Sequence, residues 1–164
     1  LQRLRIVRPV AFTAALTCLH KGRLLLGINR QAVSLQVALS DLTGFANPAG
    51  ELVALAGFCP LDDGEIEFWF DLGPGARPHV RALIRIARLT LPAVAHHAPV
   101  HAHVRAGYEP GRRLAKLAGF HFAGAVHGFE RWEFPNGRDR ENVLGQGGAP
   151  VGAGLGRRGG DAQG

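Results

Sequence analysis

Between Glu51 and Arg105 the hydrophobic period changes from two to about 3.6 and back to two, and that order restricts the fold more than any other feature of the chain. Glu51 to Cys59 is apolar on both faces, with Val53, Leu55, Gly57 and Cys59 on one and Leu52, Ala54, Ala56 and Phe58 on the other, so it reads as a central strand. Pro60 to Gly64, PLDDG, has the chemistry of a reversing turn and predicts an antiparallel partner. That partner is Glu65 to Leu72, in which Ile66, Phe68, Phe70 and Leu72 form a core face and Glu65, Glu67 and Asp71 surround Trp69 on an acidic one. The turn GPGARP then opens a helix with an apolar stripe of Val80, Leu83, Ile84, Ala87 and Leu91, a basic stripe of Arg81, Arg85 and Arg88, and a stop at Pro92. Val100 to Arg105 alternates again, with Val100, Ala102 and Val104 opposite His101, His103 and Arg105. Strand, crossover helix and strand make a βαβ unit, so Glu65 to Leu72 and Val100 to Arg105 should run parallel in one sheet.

The flanking segments complete an α/β chain. Leu4 to Arg8 reads as a short strand stopped by Pro9, and Val10 to Lys21 as a helix burying Phe12, Ala15, Leu16 and Leu19. Leu24 to Val33 suits a helix or a strand, and Ser34 to Leu39 alternates as a strand that ends at the loop LTGFANPAGE. Glu109 and Pro110 suit a helix start after Gly107 and Tyr108, with Leu114, Leu117 and Ala118 as the buried face and Gly119 as the C-terminal cap. Two last strands, Phe120 to Val126 and Phe129 to Phe134, reverse near His127 and Gly128. Residues 1–134 are expected to form one domain, and 135–164, Gly-rich and without periodicity, a disordered tail.

Charge and composition exclude several functions. The net charge of +6 is carried by Arg3, Arg5, Arg8, Lys21, Arg23 and Arg30, which all precede the first acid, Asp41, and beyond them bases and acids balance. A nucleic-acid partner is therefore not expected, and no stretch is long and apolar enough for a membrane span. The basic start and the apolar run Val10 to Leu19 are also compatible with a targeting peptide, but Pro9 interrupts the approach to the run and no small-residue cleavage box follows. Cys18 and Cys59, each inside an apolar run, read as buried thiols of a reducing compartment. Ser34 and Ser40 are the only serines and neither sits in a nucleophile elbow. His96, His97, His101 and His103 crowd together without a cysteine or carboxylate at ligand spacing, so no metal is expected.

The order of elements, with VHAHVRAGYEPGRRLAKLAGF at Val100 to Phe120 and the meander into LGPGARPHVRAL, resembles the GNAT N-acetyltransferase superfamily over about Leu4 to Phe134, and in particular its short phage and prophage branch. The resemblance implies a mixed, mostly antiparallel sheet whose two central parallel strands splay apart, flanked by helices. It implies acetyl-CoA, or another acyl-CoA, as cofactor, and transfer of the acetyl group to an amine. The family's pyrophosphate loop would fall on Leu72, Gly73, Gly75, Arg77, His79, Val80, Arg81 and Ala82. Arg77 matches its first basic position and Ala82 its last small one, whereas Val80 stands where a glycine belongs and Pro78 removes an N–H. The family's frequent asparagine and tyrosine would fall on Gly107 and Ala115.

By the same resemblance a glutamate of the fourth strand is the base, Glu67 or Glu65, with Glu67 nearer the cleft, and Tyr108, the only tyrosine, is the candidate acid. The enzyme would be cytoplasmic. The departures at Val80 and Pro78 in the loop, at Gly107 and at Ala115 support a second reading, a non-catalytic, virion-associated protein that retains the fold and binds a protein partner through its basic leading segment or Gly-rich tail.

Overall fold

A computed structural model describes residues 4–22 and 30–136. The elements in chain order are β1 (Arg5–Val7), α1 (Phe12–Gly22), α2 (Arg30–Leu39), β2 (Asp41–Ala46), β3 (Leu52–Pro60), β4 (Ile66–Leu72), a 3₁₀ segment (Pro74–His79), α3 (Val80–Ala95), β5 (Val100–Arg105), α4 (Glu109–Ala118), β6 (His121–Val126) and β7 (Phe129–Glu133). Seven strands form one sheet in the order β1-β2-β3-β4-β5-β7-β6. Each neighbouring pair is antiparallel except β4 and β5, which are parallel as the βαβ pattern requires. That pair is joined only at Ile66 opposite Val100 and Glu67 opposite His101. Beyond Glu67, β4 stays paired with β3 as far as Leu72, while β5 pairs with β7 as far as Arg105, so the two strands part.

Separate cores cover the two faces of the sheet. On one, Phe68 of β4 packs with Leu83, Leu91 and Ala95 of α3, Ala115 and Ala118 of α4, Phe120 and Trp132. On the other, Ala15, Cys18 and Leu19 of α1 and Val33 and Val37 of α2 close over Leu55 and Trp69. Trp69 is thus a core residue, although it shares its strand face with Glu67 and Asp71. It is buried, lies opposite Gly57 in the β3–β4 register, and donates from Nε1 to Ser40 Oγ at 2.8 Å. A β-carbon at Gly57 would sit 2.3 Å from the indole, so only glycine lets the ring lie flat on β3.

Five expectations are corrected. Ser34 to Leu39 belongs to helix α2 instead of a strand. Val33 and Val37, one turn apart, are buried, while Leu35 and Leu39, which alternation places with Val37, are exposed. The segment read as a loop after it contains β2, because Gly44 marks a close approach, not a break: a β-carbon there would lie 2.8 Å from Leu52 Cδ2. Helix α3 runs through Pro92 to Ala95, since Leu91 and Ala95 continue the buried stripe for another turn. On α4 the buried line is Ala115 and Ala118, with Leu114 half-buried and Leu117 exposed, and Phe12 of α1 is likewise exposed.

The reversals behave as their residues dictate. Gly119 caps α4 in the left-handed conformation, its N–H donating to the carbonyls of Ala115 and Lys116. His127 and Gly128, with φ of 47° and 83°, form the two-residue hairpin between β6 and β7, the primed geometry whose twist suits paired strands. Arg112 of α4 holds both carboxylate oxygens of buried Glu130 on β7, which keeps that carboxyl below its usual range and anchors α4 to the sheet. The expected segment from Leu24 falls largely outside the described residues, as does the tail from residue 137.

Candidate active site

The parting of β4 and β5 opens a cleft of about 1240 Å³ between the two strands and helices α3 and α4. Its apolar wall comes from Phe68, Phe70, Leu83, Ile84, Leu114 and Leu117, which explains why the two leucines of α4 are not fully covered. Its polar groups include Glu67 and Gln36 at one end, Asp71 on β4, His103 and Arg105 on β5, Tyr108, Glu109 and Arg113 at the start of α4, His127 of the last hairpin, and Arg77 in the 3₁₀ segment. Among the described residues, the β5-facing edge of β4 from Phe68 to Leu72 has no strand partner, which leaves an extended backbone edge along the cleft.

At the point of divergence, strand register places two carboxylates against two imidazoles. Glu67 Oε1 lies 3.0 Å from His103 Nδ1, and Gln36 Nε2 donates to Glu67 Oε2 at 3.4 Å. An ionised carboxylate only accepts, so with Glu67 ionised this contact requires the His103 proton on Nδ1 and turns the Nε2 lone pair away from Glu67. Among the described residues, no hydrogen bond engages Nε2. Two residues earlier, Glu65 Oε2 accepts from Arg131 Nη2 at 2.7 Å and lies 3.0 Å from His101 Nδ1. That second contact is close but not aligned as a hydrogen bond, and neither His101 nitrogen has a hydrogen-bond partner among the described residues. Burial, chiefly, and then Arg131 and His103 push the His101 imidazole below its ordinary value, against the opposing pull of Glu65 and Glu67. His101 is accordingly neutral near pH 7.

The structure thus separates the two glutamates that sequence alternation left equivalent. Glu67 lines the cleft with Tyr108; Glu65 does not line it and is engaged by Arg131. Of the positions carried over for the pyrophosphate loop, Leu72, Arg77 and Val80 line the cleft, whereas Gly73, Gly75, His79, Arg81 and Ala82 are not part of its lining. The Gly73 N–H donates to Val53 O at 2.8 Å, and a β-carbon on Gly75 would approach Val53 Cγ1 to 2.9 Å, so both glycines serve the packing of the turn on β3. His79 is buried. An extended β4 edge, a long apolar trough and Arg77 in the turn are compatible with the pantetheine and pyrophosphate of an acyl-CoA, and of those loop positions Leu72, Arg77 and Val80 line that cleft.

Sequence reasoning missed His103, Gln36 and Arg131 as members of this constellation. The signal for His103 was present, since two alternating strands in a parallel βαβ unit must set one polar face beside the other. Gln36 and Arg131 arrive from a helix and a strand whose position no local pattern specifies.

Among the described residues no group of three or more His, Cys, Asp or Glu side chains is placed to hold a metal ion, and no helix is long and apolar enough to cross a membrane.

No protein-family model and no curated protein matches the sequence. Solved structures do match. A protein assigned to the GnaT acetyltransferase family from Bordetella pertussis superposes with a TM-score of 0.57 at 17% identity, covering 76% of this chain and 89% of that one. A chimera of the spermidine N-acetyltransferase SpeG from Vibrio cholerae and hSSAT gives 0.58 at 13% identity, covering 83% and 97%. An IAA acetyltransferase from Bacillus cereus gives 0.62 at 10% identity, covering 80% and 99%. At such identities the likeness is one of architecture, and with the single splayed parallel pair in an otherwise antiparallel seven-stranded sheet it establishes that this chain has the GNAT fold.

Proposed function

We propose that the protein is an acyl-CoA-dependent N-acetyltransferase acting on an amine. The observation that carries this reading is the cleft between β4 and β5, open along an unpaired strand edge and polar where the strands part, at Glu67 and His103. Acetyl-CoA would supply an activated thioester carbon. The chain's own residues would do the rest. Leu72, Val80 and Arg77 hold the cofactor, with Arg77 as the cation beside its phosphates. The Glu67 and His103 pair removes a proton from the amine, and the Tyr108 hydroxyl, also lining the cleft, protonates the departing sulfur. Glu65, held by Arg131, takes no direct part.

Calorimetric titration with acetyl-CoA tests this. Heat with one-to-one stoichiometry is expected, and Arg77→Ala should weaken binding by about two- to fivefold, the worth of one exposed charge contact. Thiol release on a panel of primary amines then tests transfer.

The degenerate turn, with Pro78, Val80 and a Gly73 N–H committed to β3, favours a second reading, a virion-associated or other non-catalytic protein that keeps the fold. Absence of heat at millimolar acetyl-CoA would select it.

A further inference from the structure

The acceptor amine, a cation at neutral pH, must lose a proton before its nitrogen can attack, and the atom that takes it is not settled by the presence of a glutamate in the cleft. Glu67 Oε1 is engaged by His103 Nδ1 and Oε2 faces Gln36 Nε2, so both carboxylate oxygens already accept hydrogen bonds from the protein. His103 Nε2 is different. It is a lone pair on a partly exposed ring that lines the cleft, and its tautomer is set from behind by a carboxylate. Neighbouring His101, whose ring lies 5.0 Å away edge to face, is buried and neutral, so it places no positive charge against the imidazolium that proton transfer would create.

We propose that His103 is the general base of this site, accepting the amine proton at Nε2, and that Glu67 is a positioning residue that orients the ring through Nδ1 and stabilises its charged form. The proposal rests on the acetyltransferase reading above. One proton of the ammonium passes to Nε2, and the freed electron pair forms the N–C bond to the thioester carbon. The C–S bond breaks with its pair on sulfur, and Tyr108 protonates that sulfur. The nitrogen loses its second proton to solvent, which reprotonates Tyr108, and His103 discharges its proton, so the turnover releases one proton in all.

The two candidate bases predict opposite orders of variants. With His103 as base, His103→Gln should lower kcat by about 10²–10⁴-fold, whereas Glu67→Gln, whose amide oxygen can still accept from Nδ1–H, should lose about tenfold or less. Glu67→Ala should fall between them, at about 10–100-fold. Acetyl-CoA binding by calorimetry should be unchanged in all three. The reverse order, with Glu67→Gln inactive and His103→Gln within about threefold of wild type, would overturn the proposal and leave the acetyltransferase reading standing. Nitrogen-15 NMR of the full chain gives an independent check that needs no acceptor: neutral His103 should be the Nδ1–H tautomer in wild type and lose that preference in Glu67→Ala. An Nε2–H tautomer in wild type sinks the proposal. A wild type that binds no acetyl-CoA removes the reading beneath it, and the base assignment goes with it.

Discussion

The strands β4 and β5 carry the same chemical pair twice. Glu65 with His101 and Glu67 with His103 stand two residues apart, and each carboxylate oxygen lies 3.0 Å from an Nδ1. Their surroundings differ. The first pair lies where the sheet is still closed, and His101 is 2% exposed at its side chain, with Arg131 neutralising Glu65 from β7. The second lies where the strands part and lines the cleft, with side chains 31% and 22% exposed. The comparison teaches that reactivity here is set by where the sheet opens and not by residue type. A buried imidazole hemmed in by a cation is held neutral as structure, and the same group one pleat further on has a free lone pair and access to a ligand.

The sharpest way to break the comparison is to remove each imidazole in turn. His103→Gln should cost about 10²–10⁴-fold in kcat. His101→Gln should leave kcat per folded molecule within about threefold, and initial rates normalised to active protein decide between them. If the two variants lose equally, the pairs are not functionally distinct.

Stability should show the opposite pattern. Arg131→Ala leaves Glu65 and Glu133 without their shared cation and should lower the urea unfolding free energy by about 1–3 kcal/mol. Glu67→Gln, in the open cleft, should stay within about 0.5 kcal/mol of wild type.

The smallest expected effect is one of pH. Because the folded state holds His101 below its ordinary value, the unfolded chain binds the proton more readily, and stability is full above the unfolded pKa and declines as pH falls below it. Taking wild type from about pH 7.5 to about pH 5.5 should therefore lower Tm by a few degrees more than it does in His101→Gln, as read by thermal scans of the two proteins side by side. Equal slopes would mean that His101 is not held neutral by its surroundings.

Much of this architecture was legible in the residues, and the failures share a cause. The βαβ unit, the antiparallel β3–β4 hairpin, the Gly119 cap and the His127–Gly128 turn all rest on short-range chemistry, a period or a required backbone angle, which a sequence carries explicitly. Leu35, Val37 and Leu39 misled because alternation over six residues fits a strand, and only packing against β3 and Trp69 shows that Val37 alone turns inward. Gly44 misled in the same way: a glycine that admits a neighbour's side chain is indistinguishable, in sequence, from one that breaks an element.

The chain by itself determined the order and type of most elements, the parallel pairing of its fourth and fifth strands, and the placing of Glu65 with Glu67 on one face of the first and of His101 with His103 on one face of the second, because these follow from local periodicity. Only the tertiary structure decided that the pairing ends after Glu67 and His101, so that one carboxylate is bound by Arg131 and the other lines a cleft with His103. That outcome depends on β7 and α2 meeting β4 and β5 from distant parts of the chain, and contacts between distant segments leave no local period to be read.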